Sequence, residues 1–127
     1  MYEDVFLITN NPMVRDFLTN LVYKFIIGNT IDVYKEARDM IRMNYCLLCH
    51  PLVSSLKPNE TPYRTVVLST KPKSTLDLDS LMYIEKAIDI SEKFLKIKPL
   101  SIEKFSEKLL NDFQVVDFSI IENAIKK

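Results

Sequence analysis

The sequence predicts an α/β fold in one domain that spans residues 1–127. Short runs of β-branched and aliphatic residues alternate along the chain with segments in which apolar residues recur every three or four positions. The 127 residues and the 47% apolar content are typical of a single domain with its own core. Because strands that alternate with helices are usually parallel, we expect a small, open, mostly parallel four-stranded sheet. It would resemble half of a Rossmann or flavodoxin domain, with flanking helices and a helical C-terminus.

The N-terminal part predicts a strand, a helix and a second strand. Residues 4–9 (DVFLIT) are the continuous apolar run of a strand that is buried on both faces. Asn11 is a good N-cap residue, and Pro12 suits the first helical position, where no N–H donor is needed. Residues 21–27 (LVYKFII) are β-branched and aromatic, which favours a strand, and Gly28 ends it.

The middle of the chain predicts a second helix and two further strands. Thr30 is expected to cap a helix that reaches about Met43, since its apolar residues follow the 3.6-residue period. Residues 45–49 and 65–69 are predicted as the third and fourth strands, separated by a polar loop with three prolines. We expect the second and third strands to lie on opposite sides of the first.

The C-terminal part is predicted to be helical. A long helix should begin at Asp79 or Ser80 and end near Ile97, before a proline.

The last 27 residues, 101–127, are expected to pack on the domain as its C-terminal helices. Ser101 would cap the first of them. Residues 114–118 are predicted as a short strand or a turn, after which Asp117 or Ser119 would begin a last short helix.

Two loops are expected to meet at one edge of the sheet. Open α/β sheets bind ligands beyond the carboxyl ends of their strands, where the strand order reverses. Residues 9–12 (TNNP) follow the first predicted strand, and residues 50–63 follow the third. Capping explains Asn11, whereas Asn10 is expected to face a ligand. The sequence therefore predicts a pocket shared by these two loops.

The two cysteines belong to the motif Cys46-Leu47-Leu48-Cys49-His50, which matches the C-x-x-C-H pattern of haem attachment. In a strand, alternate side chains point to opposite faces, so the two thiols would not bridge. A redox C-x-x-C usually lies at a helix N-terminus, and here a proline-rich loop follows instead. We expect structural cysteines rather than a redox, metal or haem site.

His50 is the single histidine, which excludes a multi-histidine metal site. Two interpretations stay open: it anchors the loop by hydrogen bonding to the backbone, or it contacts a ligand as an acid–base group. Ser54 and Ser55 suggest a nucleophile beside it. No G-x-S-x-G turn surrounds these serines, however, so Ser–His catalysis is not favoured.

The end of this loop (KPNETPYR) is bracketed by two prolines, and Asn59 and Thr61 are turn-forming residues. One interpretation is a turn that satisfies its own hydrogen bonds and carries a weak surface ion pair. The other is a preorganised loop that presents Lys57, Glu60 and Tyr63 to a ligand or a partner.

Composition excludes several classes of function. Seventeen basic and seventeen acidic side chains cancel, so no global charge attracts nucleic acid or anionic membranes. No apolar run reaches the roughly 18–20 residues of a membrane span. The N-terminus lacks the basic residues of a secretory signal, so we expect a cytoplasmic protein with reduced cysteines. With Gly28 as its single glycine, the chain cannot build a glycine-rich phosphate cradle.

Two stretches resemble the GrdX family: FLITNNPMV, and HPLVSSLKPNETPYRTVVLS followed by LDLDSL. The resemblance covers roughly residues 5–85 and is most specific in the HPL and KPNETPY segments. Members are small proteins usually encoded beside glycine, sarcosine or betaine reductase genes in anaerobic bacteria that ferment amino acids. The resemblance implies an accessory role near a selenium-dependent, thioredoxin-linked reductase. The family motif does not centre on a C-x-x-C, so the cysteine pair departs from it.

Three functional hypotheses follow. The first is an accessory protein that binds a reductase subunit or a small carboxylate or phosphate ligand, without a cofactor or a metal. The second is a small enzyme with His50 as acid–base and Glu60 or Lys57 as its partner. The third is a homodimeric structural or regulatory module. The expected ligand-binding residues are Thr9, Asn10, Asn11, His50, Ser54, Ser55, Lys57, Asn59, Glu60, Thr61 and Tyr63.

Overall fold

A computed structural model describes residues 2–52 and 60–127 and confirms an α/β fold. The described residues form three strands, four α-helices and one short 3-10 helix. In chain order these are β1 (Phe6–Thr9), α1 (Pro12–Phe17), β2 (Val22–Phe25), α2 (Thr30–Arg42), β3 (Thr65–Leu68), α3 (Leu78–Ile97), the 3-10 helix (Ile102–Lys104) and α4 (Glu107–Ile125).

The sheet has the strand order β2-β1-β3. β1 pairs parallel with β2 and antiparallel with β3. Thr9, the last residue of β1, therefore lies between Phe25 at the end of β2 and Thr65 at the start of β3. Residues that follow β1 and residues that precede β3 share this edge of the sheet.

Helices cover both faces of the sheet. Successive strand residues point to opposite sides, and because the strands are apolar at adjacent positions, both faces must be buried. Ile8 and Val66 face one side, where they pack in one core cluster with residues of α2 and α3. Leu7 and Val67 face the other side and pack with residues of α1 and α4. The fold therefore has three layers, with α2 and α3 on one side of the sheet and α1 and α4 on the other.

The predicted sheet of four mostly parallel strands is not confirmed. Residues 45–49, predicted as the third strand, form a single antiparallel bridge between Leu47 and Leu68. The place beside β1 belongs to β3, which leaves residues 45–49 at the outer edge of β3. Two backbone hydrogen bonds of 2.9 Å join this segment to β3 and the residue that follows it, from the Leu48 N–H to the Val67 oxygen and from the Ser69 N–H to the Cys46 oxygen. The ladder does not extend further, and serine hydroxyls accept the neighbouring N–H groups: Ser69 from Cys46 at 3.0 Å, and Ser80 from Leu47 at 2.8 Å.

The start of α1 agrees with the prediction, and the starts of α2 and α3 lie one to three residues before the predicted positions. The predicted helix start at Ser101 is wrong, because Ser101 precedes only the short 3-10 helix, without a side-chain cap hydrogen bond, and α4 begins at Glu107. Asn11 is the N-cap of α1 as predicted, and its side chain accepts a hydrogen bond from the Met13 N–H at 3.0 Å. Asn29, not Thr30, caps α2 in a capping box with Asp32. The helix α3 is capped by Asp77, ahead of the predicted start.

The predicted interruption at residues 114–118 is wrong, because α4 continues from Glu107 to Ile125 with Ser106 as its N-cap. The local sequence QVVDF favours a strand or a turn by propensity. Packing overrides that propensity, since Asp117 and Ile121 lie one turn apart on the helix face that is buried against the sheet.

No helix in the two described ranges, 2–52 and 60–127, combines the length and the apolar character that crossing a membrane requires.

Candidate functional site

The side chain of Asn10 joins three segments of the chain at the end of β1. Its Nδ2 group donates to the carbonyl oxygens of Gly28 at 3.0 Å and Pro62 at 2.8 Å. Its Oδ1 atom accepts from the backbone N–H of Arg64 at 2.9 Å. Asn10 is buried, so these bonds replace water and fix the segment before β3 against the turn after β1.

Asn11 links the same edge to α4. Its Nδ2 group donates to the Asp117 Oδ2 atom at 3.0 Å and to the Gln114 carbonyl oxygen at 3.0 Å. Both amide hydrogens are therefore used, and the amide oxygen caps α1 through the Met13 N–H. Asn11 is completely buried.

Asp117 is the titratable centre of this arrangement, which we call the buried polar cluster: Thr9, Asn10, Asn11, Thr65 and Asp117. The Thr65 hydroxyl donates to Asp117 Oδ2 at 2.7 Å, so the 2.7 Å contact between the two threonine hydroxyls requires Thr9 to donate to Thr65. Thr9 in turn accepts from the Asn11 N–H at 3.0 Å. The hydrogen bonds form a closed circuit that returns to Asn11.

Burial raises the pKa of the Asp117 carboxyl above its ordinary value of 3.8, since removal from water disfavours the charged form. The hydrogen bonds from Asn11 and Thr65 and the positive charge of Arg64 act in the opposite direction and lower the pKa. The net shift is upward. The cluster thus holds a carboxylate whose ionisation is sensitive to any loss of its donors.

The predicted site residues therefore separate into two groups. Thr9, Asn10, Asn11 and Thr61 are buried, and the two asparagine amides bind groups of the protein itself rather than facing solvent. Asn10, which we expected to face a ligand, instead holds the segment before β3. His50 and Glu60 are exposed.

Tyr63 is half-buried, and its hydroxyl accepts a hydrogen bond from Gln114 Nε2 of α4 at 3.1 Å. The Thr61 hydroxyl accepts from the Tyr63 N–H at 3.2 Å, which makes a local turn of the kind that threonine favours. The remaining predicted residues, Ser54, Ser55, Lys57 and Asn59, lie outside the described residues.

His50 lies against Tyr83 of α3. The two rings are tilted by 56° with centroids 5.3 Å apart. His50 and Tyr83 line a cavity of about 320 Å³, together with Leu47, Leu48, Cys49, Asp77, Asp79 and Ser80. Such a volume is at the lower end of the range for small-ligand pockets, about 300–1,000 Å³.

One hydrogen bond defines the imidazole tautomer of His50. Its Nδ1 atom accepts from the Leu52 N–H at 3.1 Å, so the proton of the neutral ring is on Nε2. The lone pair that a general base would use is engaged by Leu52. In this conformation His50 offers a hydrogen-bond donor, which suits ligand recognition better than proton abstraction.

The cysteines are free thiols, with Cys46 buried and Cys49 half-buried. Burial raises the pKa of the Cys49 thiol, and the negative charge of Glu3 adds to this shift. Reactive cysteines need the opposite, a lowered pKa near positive charge. Over the described parts of the chain, no group of three His, Cys, Asp or Glu side chains is arranged to hold a metal ion.

Sequence reasoning missed Asp117, Thr65 and Tyr83. Asp117 carried a readable signal: Phe113, Asp117, Ile121 and Ile125 recur every four residues, so a single acidic side chain interrupts an apolar helix stripe. A carboxylate in that position must find buried donors, and Asn11 and Thr65 supply them.

Replacing Asn10 with alanine should lower the free energy of unfolding by about 2–4 kcal/mol, because two carbonyl oxygens and one N–H group lose their partner. Urea unfolding measures this loss. Asn20→Ala, at an exposed asparagine, is the matched control and should change stability by less than about 0.5 kcal/mol. Equal effects of the two substitutions would contradict the linking role of Asn10.

Asp117→Asn should change how stability depends on pH. Because the folded pKa of Asp117 is raised, the folded protein binds this proton more tightly than the unfolded chain does. The wild type should therefore lose stability relative to the variant as the pH rises above about 4, until the folded pKa is passed. Urea unfolding of both proteins across about pH 4–8 tests this, and a relative gain with rising pH would show that the pKa is lowered instead.

Comparison with known proteins identifies a family. The family model described as GrdX-like protein matches residues 6–126, nearly the whole chain. No curated protein and no solved structure matches the chain. The matched range includes the buried polar cluster, the cavity at His50 and α4, which lies beyond the motifs that first suggested the resemblance. On this match, the chain belongs to the GrdX-like protein family.

Proposed function

We propose that this protein is an accessory protein of the glycine reductase system and acts by binding rather than by catalysis. Membership in the GrdX-like family suggests an accessory protein associated with glycine reductase. The binding surface in this proposal is the segment from His50 to Tyr63. Its occupant is a segment of a reductase subunit or a small polar ligand.

The observation that carries the proposal is that both ends of this segment are fixed to buried residues. The Tyr34 hydroxyl of α2 donates to the Pro51 carbonyl oxygen at 3.0 Å, and burial raises the pKa of Tyr34 to about 12, so it stays a donor. At the other end, Asn10 holds Pro62 and Arg64. Fixed ends reduce the conformational entropy that a loop loses on binding, which favours affinity.

Exposed polar groups lie at both fixed ends. His50 presents its Nε2 donor beside Tyr83, and Glu60 is exposed near the second anchor. Surfaces that recognise polar segments of partners typically combine hydrogen-bond donors, carboxylates and aromatic rings. Here the donor and the carboxylate belong to the fixed ends of the segment, and the ring of Tyr83 belongs to α3. The proposal adds Lys57 from its place in the sequence motif alone.

A second candidate function, a small enzyme that uses His50, is favoured by the cavity of about 320 Å³ beside His50. The tautomer argues against His50 as a base in this conformation, because Leu52 binds the required lone pair. If the enzyme hypothesis held, His50→Ala would abolish turnover of a reductase substrate while the protein stayed folded. The binding proposal expects no turnover to lose.

Native mass spectrometry with purified glycine reductase subunits tests the binding proposal. The wild type should form a complex with at least one subunit, and the double variant Lys57→Ala/Glu60→Ala should bind about tenfold more weakly, the effect of losing a central interface contact. The matched control is Lys35→Ala/Asp39→Ala, which removes one lysine and one acid from the exposed side of α2. Absence of any complex, or equal loss in both double variants, would overturn the proposal.

A further inference from the structure

A second cavity, of about 410 Å³, lies between the end of α3 and the first half of α4. Its position differs from the cavity at His50, and none of the interactions in the buried polar cluster reach it. The lining residues are Glu60, Lys98, Pro99, Leu100, Ser101, Lys104, Phe105, Leu109 and Phe113. We call it the Lys98 cavity.

The Lys98 cavity is mainly apolar where the end of the 3-10 helix and α4 border it. The rings of Phe105 and Phe113 lie 5.7 Å apart at a tilt of 38°, which is a favourable distance for an aromatic pair. Leu109, which is on α4 with Phe113, is 39% exposed, so this apolar surface is not buried in the core. An apolar group that entered the cavity would remove this surface from water.

Lys98 and Lys104 give the cavity its positive charge. Among the described residues, neither Lys98 nor Lys104 forms an ion pair, whereas the nearby Lys93 and Lys108 each bind an aspartate one helical turn away at 3.0 Å. Glu60 is the one acidic residue among the described residues that line the cavity. Two ammonium groups against one carboxylate favour an anionic ligand over a cation.

We propose that the Lys98 cavity binds a small monocarboxylate with an apolar body, such as an aryl or branched-chain acid. The apolar body packs against Phe105, Leu109 and Phe113, and the carboxylate lies near Lys98 and Lys104. The volume is within the range of about 300–1,000 Å³ for small-ligand pockets. The cavity shares Glu60 with the binding surface proposed above, but the assignment does not rest on the role in the glycine reductase system, and its test involves no reductase subunit.

Titration with 3-phenylpropionate, followed by the backbone amide signals of the labelled full chain in NMR spectra, tests the assignment. The acid should give saturable shifts that are confined to residues 60 and 98–113. Its neutral analogue, 3-phenylpropanamide, has the same apolar body and should bind about fivefold more weakly, the effect expected from two partly exposed charge pairs. The cationic analogue 3-phenylpropylamine should bind more weakly still.

Two double variants distinguish the effect of the two cavity lysines from the effect of removing positive charge elsewhere on the surface. Lys98→Met/Lys104→Met should reduce the affinity for the acid to that for the amide, and should leave amide binding unchanged. Lys35→Met/Lys96→Met removes the same charge from exposed positions that do not line the cavity, and should leave acid binding unchanged. Shifts outside the cavity, equal affinities for acid and amide, or equal losses in the two double variants would overturn the assignment.

Discussion

The fold depends on how the chain accommodates one buried carboxylate. Asp117 projects from α4 toward the sheet edge, where burial disfavours its charge. Donors from Asn11 and Thr65 satisfy it, and each donor comes from a different segment: the turn after β1, and the start of β3. The carboxylate can be accommodated only if all three segments are in place, so the C-terminal helix and the two loops are expected to order together.

This constraint gives Asn10 and Asn11, in the turn after β1, a structural role. The same amides that suggested a ligand site from sequence are used internally, and the exposed polar groups lie further out, at His50, Tyr83 and Glu60. The buried polar cluster fixes the two loops, and the binding surface proposed above lies at their exposed polar groups. The Lys98 cavity fits the same pattern, because it lies on the first half of α4, the helix that Asp117 fixes to the sheet.

Local chemistry in the sequence predicted α1, α2, α3 and the positions of the three strands well, but not the uninterrupted α4. Asn11-Pro12 specified the start of α1, and the β-branched runs specified β1 and β2. The errors came from long-range pairing. Residues 45–49 have strand propensity, yet β3 takes the place beside β1 and two serine hydroxyls satisfy the displaced backbone. Sequence patterns predict a helix start at Asp117 because its partners Asn11 and Thr65 are 106 and 52 residues away, which short-range patterns do not detect.

The central claim is that Asn11 and Asp117 stabilise the fold as one unit across the chain. A double-mutant cycle of Asn11→Ala and Asp117→Ala, measured by urea unfolding, tests it most directly, with the exposed pair Asn20→Ala and Asp112→Ala as the control cycle. The account predicts a coupling free energy of at least about 1 kcal/mol for the first cycle and additivity in the control. Additive losses within about 0.3 kcal/mol in both cycles would contradict it.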